Sequence, residues 1–248
     1  MPFLWYFLHM EEFKAERTKV TPQRMALAMY DAYWRYFRSW PNRDTIRVLL
    51  AHWALETGWG KWMWCYNVGN VKSHSGDDHD YCFFKCNEIL IKPVAERLLV
   101  EDPTRVQITS YRSDDTCIVW FLPKHPWSRF RAFKTLEEGV YHHLKLLVQK
   151  FNKAWPHAVA GDPEEYCYAL KEQRYFTADL SSYKNTFLAV FDKLDALEVP
   201  DGPVLTSTEK ERVLGSVSLS LTDMVEDIYR RDLFEVEEFI KKDLDAEG

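Results

Sequence analysis

Between residues 61 and about 130 the helical periodicity that governs the chain on either side disappears, and this interruption limits the folds available. Upstream, Thr21-Pro22 is a helix start, and Met25, Leu27, Met29, Tyr33 and Phe37 follow in a largely apolar stretch that Pro41 ends. Asn42 or Asp44 caps the next helix, where Ile46, Leu49, Leu50 and Trp53 recur at i, i+3, i+4, i+7. Gly58 and Gly60 stop it, which places Glu56 in its last turn, ~80° round the wheel from Ile46, at the rim of the apolar stripe.

Inside the interruption, Tyr81–Phe84, Val106–Thr109 and Cys117–Phe121 suit strands separated by turns, and Arg97–Val100 is ambiguous. Helical signals return after Phe133. Thr135 and Glu138 form a capping box ahead of Leu136, Val140, Leu144, Leu147, Val148 and Phe151. Asp162-Pro163-Glu164-Glu165 starts another helix, and a third runs from about Ser182 with Tyr183, Phe187, Val190, Phe191, Leu194 and Leu197 inward. Residues 198–220 read as a linker, and residues 221–248 as an acidic amphipathic helix. The expectation is an α+β, mainly α fold: a domain over 1–197 with a strand-bearing lobe at about 61–130, a cleft where lobe and helices meet, and a C-terminal helical appendage.

Charge excludes one class of partner. Residues 201–248 carry 6 basic and 13 acidic side chains, whereas the first 200 residues carry 26 and 25, so the body is nearly neutral. A nucleic-acid backbone would require clustered Lys and Arg. The apolar start, Met1 to Met10, is too short to span a bilayer, lacks a basic lead and shows no cleavage site. The five cysteines are an odd number without regular spacing, which points to folding in a reducing cytoplasm and to some route other than an ordinary signal peptide, such as phage lysis or a virion tail, if the substrate lies outside. The chain has ten tryptophans, which serve either a core or a groove whose flat rings stack on sugars or bases.

Glu56 has the surroundings of a carboxylic acid held protonated near neutral pH: Trp53, Trp59 and Trp62 nearby in sequence, and a helix C-terminus that disfavours added negative charge. Gly58 and Gly60 leave room for a backbone or a substrate to approach. Ala54-Leu55-Glu56-Thr57-Gly58-Trp59-Gly60, followed by Asn67-Val68-Gly69-Asn70-Val71-Lys72, resembles the motif pair of the glucosaminidase family of lysozyme-like peptidoglycan hydrolases (glycoside hydrolase family seventy-three), which includes flagellar rod hydrolases, autolysins and phage lysins. Phe130-Arg131-Ala132-Phe133 with Leu136-Glu137-Glu138-Gly139 resembles the family's Phe-Arg-x-Tyr segment, and Arg174-Tyr175-Phe176-Thr177-Ala178-Asp179 through Tyr183 its Gly-Tyr-Ala-Thr-Asp-Pro-x-Tyr motif. The four matches fall in the family's order over roughly residues 40–197. Departures are Gly69-Asn70 in place of Phe-Gly, Phe176 in place of Ala, Leu180 in place of Pro, and a longer insert between Lys72 and Phe130.

The resemblance implies a lysozyme-like fold that cleaves peptidoglycan glycan strands after N-acetylglucosamine, with Glu56 as general acid and no cofactor. It implies Glu88, in Lys85-Cys86-Asn87-Glu88, as candidate base, against competition from Asp77, Asp78 and Asp80; participation by the substrate's acetamido group would need no second carboxylate. Trp59, Asn67, Tyr175 and Tyr183 are the expected substrate-binding residues, with an aromatic core pair as the other account of the two tyrosines. A lytic transglycosylase, or a non-catalytic wall-binding phage tail protein, would keep the same fold. The C-terminal helix would either dock on a protein partner or stand solvated. Cys65, His74, His79, Cys82 and Cys86 include zinc-ligand types, but their spacing is not that of a finger or ribbon, and on one strand Cys82 and Cys86 would lie about 13 Å apart, so no metal is expected. His142-His143 reads as a helix-surface pair.

Overall fold

The computed structural model describes residues 10–196. The linker expected at 198–220, the helix expected at 221–248 and the apolar start before Met10 lie outside the described residues.

The helical body begins with α1 (Pro22–Phe37), capped by Thr21, whose hydroxyl accepts from the Arg24 amide. α2 (Arg43–Thr57) follows, capped by Asn42, which accepts from the Thr45 amide at 2.7 Å, with Asp44 in the first turn. Almost every residue of α2 from Thr45 to Ala54 is buried, so this is the central helix, enclosed on nearly all sides. The chain returns as α4 (Leu136–Lys150), α5 (Trp155–Ala160), α6 (Pro163–Glu172) and α7 (Leu180–Lys193). Met25, Tyr30, Ile46, Leu50, Trp53, Leu147, Tyr166, Leu170 and Phe187 form the common core. Trp53 has no accessible surface, and its loss would leave a cavity costing about 3–5 kcal/mol.

The segment between α2 and α4, joined by one short strand from ahead of α1, forms a lobe of two three-stranded sheets. In the first, β1 (Glu12–Phe13) pairs parallel with β2 (Tyr81–Phe83), which pairs antiparallel with β6 (Arg129–Arg131). In the second, β3 (Cys86–Ile91), β5 (Thr116–Phe121) and β4 (Val106–Tyr111) run antiparallel in that spatial order, with Glu88 opposite Val119. α3 (Lys92–Glu101) packs Ala95 and Leu98 onto the Val106, Cys117, Val119 and Phe121 side of this sheet. The ambiguous Arg97–Val100 stretch is therefore helix.

The architecture is α+β and mainly α, as expected. The capping box at Thr135–Glu138 and the Asp162 cap are present. The third late helix starts at Leu180, not Ser182, because Asp179 caps it through the Ser182 amide at 2.9 Å.

Lobe and body are joined by the loop after α2, which runs along β6. Arg131 donates its amide to the Val71 carbonyl at 3.0 Å, Ser73 to Arg129 at 3.0 Å and Phe133 to Cys65 at 2.9 Å. Trp59, Cys65, Tyr66 and Asn70 all adopt positive φ, so the loop doubles back repeatedly within a dozen residues.

Candidate active site

Glu56 sits in the last turn of α2, on a helix end held by several independent contacts. Gly58 takes the left-handed conformation (φ 57°) that closes the helix, its amide returning to the Ala54 carbonyl. The Thr57 hydroxyl donates to the Trp53 carbonyl at 2.6 Å and accepts from the Gly60 amide at 2.9 Å. The Asn70 side-chain amide donates to the Glu56 carbonyl at 2.8 Å, meeting one of the carbonyls a helix end leaves open. The space above Gly60 faces the buried Trp53 ring, 3.1 Å from where a Cβ would stand.

The Glu56 carboxyl is recessed, with 22% of its side-chain surface accessible. Tyr183 on α7 donates its hydroxyl to Oε1 at 3.0 Å. Burial raises the carboxyl from the ordinary glutamate range to about 7, against the Tyr183 hydrogen bond, which favours the charged form. Such a group is protonated through most of the range below neutrality and close to poised at pH 7. Phe176, the residue that replaces the family's Ala, stacks face to face on Tyr183 with ring centroids 3.7 Å apart and pins its ring.

Behind the carboxyl lies a pocket of polar rings that the sequence reading did not anticipate. His52, one turn before Glu56 on α2, is fully buried; its Nδ1 is 2.7 Å from the Tyr166 hydroxyl on α6, and its Nε2 is 3.8 Å from Glu56 Oε1. Tyr175 packs edge-on against His52 with centroids 4.7 Å apart, and His143 on α4 does so at 5.4 Å. Burial holds the His52 pKa well below the usual histidine range and that of His143 at about 4, so both are neutral near pH 7. The His52–Glu56 approach is thus not an ion pair. The i, i+4 spacing of His52 and Glu56 was the available signal.

The expected helix-surface pair His142-His143 is corrected by these placements. His143 is buried against Gly69, because Gly69 has no Cβ to occupy the space its imidazole fills. His142 is half-buried and bonded through Nδ1 to His79 Nε2 at 2.9 Å. Gly69 and Asn70 thus each have a partner: the His143 ring and the Glu56 carbonyl.

The other expected site residues are spread more widely. Trp59 is 37% exposed and Trp62 47%, beside the helix end that carries Glu56. Asn67 is 1% exposed, and its amide is spent on backbone: Nδ2 donates to the Val71 and Arg131 carbonyls at 2.9 and 3.0 Å, and Oδ1 accepts from the Val71 amide at 2.8 Å. Tyr175 and Tyr183 both line the Glu56 pocket. Glu88 lies on β3 in the lobe, paired with Lys72 Nζ at 2.9 Å. The Lys72 ammonium also lies over the Phe130 ring, 4.5 Å from its centroid.

Two of the three acidic-loop carboxylates that compete with Glu88, Asp77 and Asp80, are engaged elsewhere, and Asp78 is 85% exposed beside His79. Asp77 is buried and accepts from Arg131 Nε at 2.7 Å and His79 Nδ1 at 2.6 Å, which holds its carboxyl below the usual range despite burial. Asp80 accepts from the Glu11 amide at 2.9 Å. Asp77, Asp78 and His79 are the one group of metal-ligand types that converge among the described residues, but the Arg131 guanidinium already supplies the cation there. The cysteine and His74 side chains do not join that group. Cys65 and Cys82 adjoin each other, Cys86 is beside Lys72, and His74 caps the Gly76 amide.

In three dimensions the chain is similar to the C-terminally truncated glycoside hydrolase domain of FlgJ from Salmonella typhimurium, at 17% identity and a TM-score of 0.42, over 71% of this chain and 95% of that one. It is also similar to the catalytic domain of the autolysin Auto from Listeria monocytogenes, at 14% identity and a TM-score of 0.39, over 72% and 87% of the two chains. No protein-family model and no curated protein matches the sequence. Among the described residues no helix is long and apolar enough to cross a membrane.

Proposed function

We propose that this chain is a peptidoglycan glycosidase, an endo-β-N-acetylglucosaminidase in which Glu56 protonates the leaving glycosidic oxygen. The observation that carries the reading is the state of Glu56: a carboxyl recessed at a helix end, raised to about 7 by burial, yet still reachable from solvent. A general acid needs that combination, because a fully solvated glutamate has lost its proton at neutral pH and a sealed one cannot pass it on. The exposed rings of Trp59 and Trp62 beside it supply flat apolar faces of the kind that stack on pyranose rings. The four motif resemblances in order support the wall glycan as substrate, and Glu88 is the candidate second carboxylate.

The test is turbidity loss of purified peptidoglycan with the wild type and with Glu56→Gln, followed by mass spectrometry of the released fragments. The reading expects clearing by the wild type, abolished in the variant, with fragments that have gained one water. Fragments without added water would identify a lytic transglycosylase, which uses the same acid to close an anhydro ring. A wild type inert on several wall types, or a variant that clears them equally, would overturn the reading and leave wall binding without catalysis.

A further inference from the structure

The His52 ring presents a buried nitrogen to the acid that no hydrogen bond accounts for. Nε2 has no partner within hydrogen-bonding distance and no access to water, a condition that buried polar atoms rarely keep without a reason. Its opposite nitrogen reveals its protonation. The Tyr166 hydroxyl is itself fully buried, 2.7 Å from Nδ1, and among the described residues no other hydrogen bond to it is seen. A hydroxyl in that position keeps its proton satisfied by donating to Nδ1, which leaves the hydrogen of the neutral imidazole on Nε2. The Nε2–H therefore faces Glu56 Oε1 across 3.8 Å, too long for a hydrogen bond and short enough to become one with a small movement.

Oε1 is thus approached by two donors, the Tyr183 hydroxyl and the His52 Nε2–H. The proton of the carboxylic acid cannot share that oxygen with them and rests on Oε2. We infer that His52 is a positioning residue for Glu56: with Tyr166 fixing its tautomer, its Nε2–H stands off Oε1 while the acid is protonated and closes onto that oxygen once the proton has left. The 3.8 Å gap matters for this role. A donor that engages the carboxylate more strongly than the acid stabilises the state after proton transfer more than the state before it. The inference rests on Glu56 being the proton donor of the proposed reaction, but its central claim, that His52 biases the ionisation of Glu56, can be read without any substrate.

The titratable groups facing the Glu56 carboxyl are His52 on its own helix, Tyr183 from α7, Tyr166 from α6 and Tyr175 from the segment before α7, with His143 of α4 behind His52. Burial pushes all three tyrosines far above the usual phenol range and both histidines below theirs, so near neutral pH all five are uncharged. A titration about pH 7 in this pocket belongs to Glu56.

The experiment is a 13C NMR titration of the glutamate carboxyls in the full chain, with Glu56→Gln assigning the resonance, in the wild type and in His52→Phe, His52→Gln and Tyr166→Phe. His52→Phe keeps a ring but removes the donor, and the Glu56 midpoint should rise by about 0.5–1 pH unit. His52→Gln, whose amide can donate to Oε1 and accept from Tyr166, should restore it to within about 0.3 unit. Tyr166→Phe frees the tautomer and should raise the midpoint by a smaller amount. Should His52→Phe fail to fold, the contrast between His52→Gln and Tyr166→Phe still decides, since only the second lifts the midpoint. A Glu56 midpoint unmoved in every folded variant lacking a fixed donor overturns the inference. Wall clearing measured on the same preparations separates the two readings: an inert wild type with a shifted midpoint defeats the proposed function alone, and an active wild type with an unmoved midpoint defeats only the role of His52.

Discussion

The Tyr183 hydroxyl meets Glu56 Oε1 at 3.0 Å across 127 residues of sequence, so the last helix of the described body completes the surroundings of an acid carried by the second. Because this bond favours the carboxylate, Tyr183→Phe should move the Glu56 pKa above its present value of about 7, by roughly one unit. The basic limb of the wall-clearing pH profile should move up with it, and the maximal rate should fall about tenfold. Phe176 would still stack on the substituted ring, so the melting temperature should change little. An unmoved basic limb would show that the hydroxyl does not tune the acid.

The same burial makes Glu56 a source of instability at high pH. Its folded pKa of about 7 lies above the unfolded value near 4.5, so the folded state holds more protons between those limits, and stability falls as pH rises through that window. The loss approaches about 3 kcal/mol above pH 7. Glu56→Gln should therefore unfold at higher denaturant concentration than the wild type at pH 8 and at nearly the same concentration at pH 4. His143 has the opposite sign. Its folded pKa of about 4 lies below the unfolded value near 6.5, so stability is lost as pH falls through that range. In Glu56→Gln the acid-side decline should stand alone, and equal pH profiles for wild type and variant would contradict the assignment of Glu56 as buried and protonated.

Gly69→Ala tests why the loop carries a glycine against His143. The new methyl would stand 2.4 Å from His143 Cε1 and 2.5 Å from its Nδ1, inside the buried ring. Overpacking of this kind should cost about 1–3 kcal/mol in urea unfolding. The penalty should largely vanish in a His143→Ala background, because the two residues occupy one volume; additive effects would mean that the loop yields instead.

The helices were legible because their caps and stripes are local. Thr21, Thr135 and Asp162 cap where their side chains and following residues said they should, and of the two candidates for α2 it is Asn42 that caps. The lobe was legible only in part. β3 carries alternating Cys86, Glu88 and Leu90 on one side and Asn87, Ile89 and Ile91 on the other, with 54% of Ile89 and 57% of Ile91 exposed, so polarity does not mark its two faces. β1 and β6 are two and three residues long, too short for any period to register. Within the site, Glu56 and Tyr183 could be named from sequence, whereas His52, Tyr166 and His143 could not be joined to them. Their relation is made by three helices converging on α2, and no local pattern encodes such convergence.

Asn67 separates a structural from a binding role. Its amide makes three backbone hydrogen bonds, two that close the loop on Val71 and one to Arg131 of β6, and Asn67→Ala would remove all three, leaving the Val71 carbonyl only the Arg131 amide. A loss of about 2–4 kcal/mol in thermal or urea unfolding is expected. Affinity of the remaining folded protein for wall fragments should be nearly unchanged; a large drop in affinity with stability intact would instead place Asn67 in contact with substrate.

Glu88 is the decisive case for the second carboxylate. Two of its rivals in the acidic loop are occupied, Asp77 by Arg131 and His79, and Asp80 by the Glu11 amide, whereas Asp78 is 85% exposed and meets His79 Nδ1 at 2.7 Å. Among the described residues Glu88 pairs with Lys72, and both side chains of that pair keep more than a third of their surface exposed, so the bridge itself contributes about 0–1 kcal/mol. Glu88→Gln should accordingly leave the melting temperature within about 2 °C of the wild type. If Glu88 activates water or carries the glycosyl group, the same substitution should lower the clearing rate by about a hundredfold or more. An undiminished rate would exclude Glu88 and favour a route in which the substrate's own acetamido oxygen attacks, so that Glu56 is the one carboxylate the reaction requires. Because folding stability should be unaffected, the rate alone discriminates between these mechanisms.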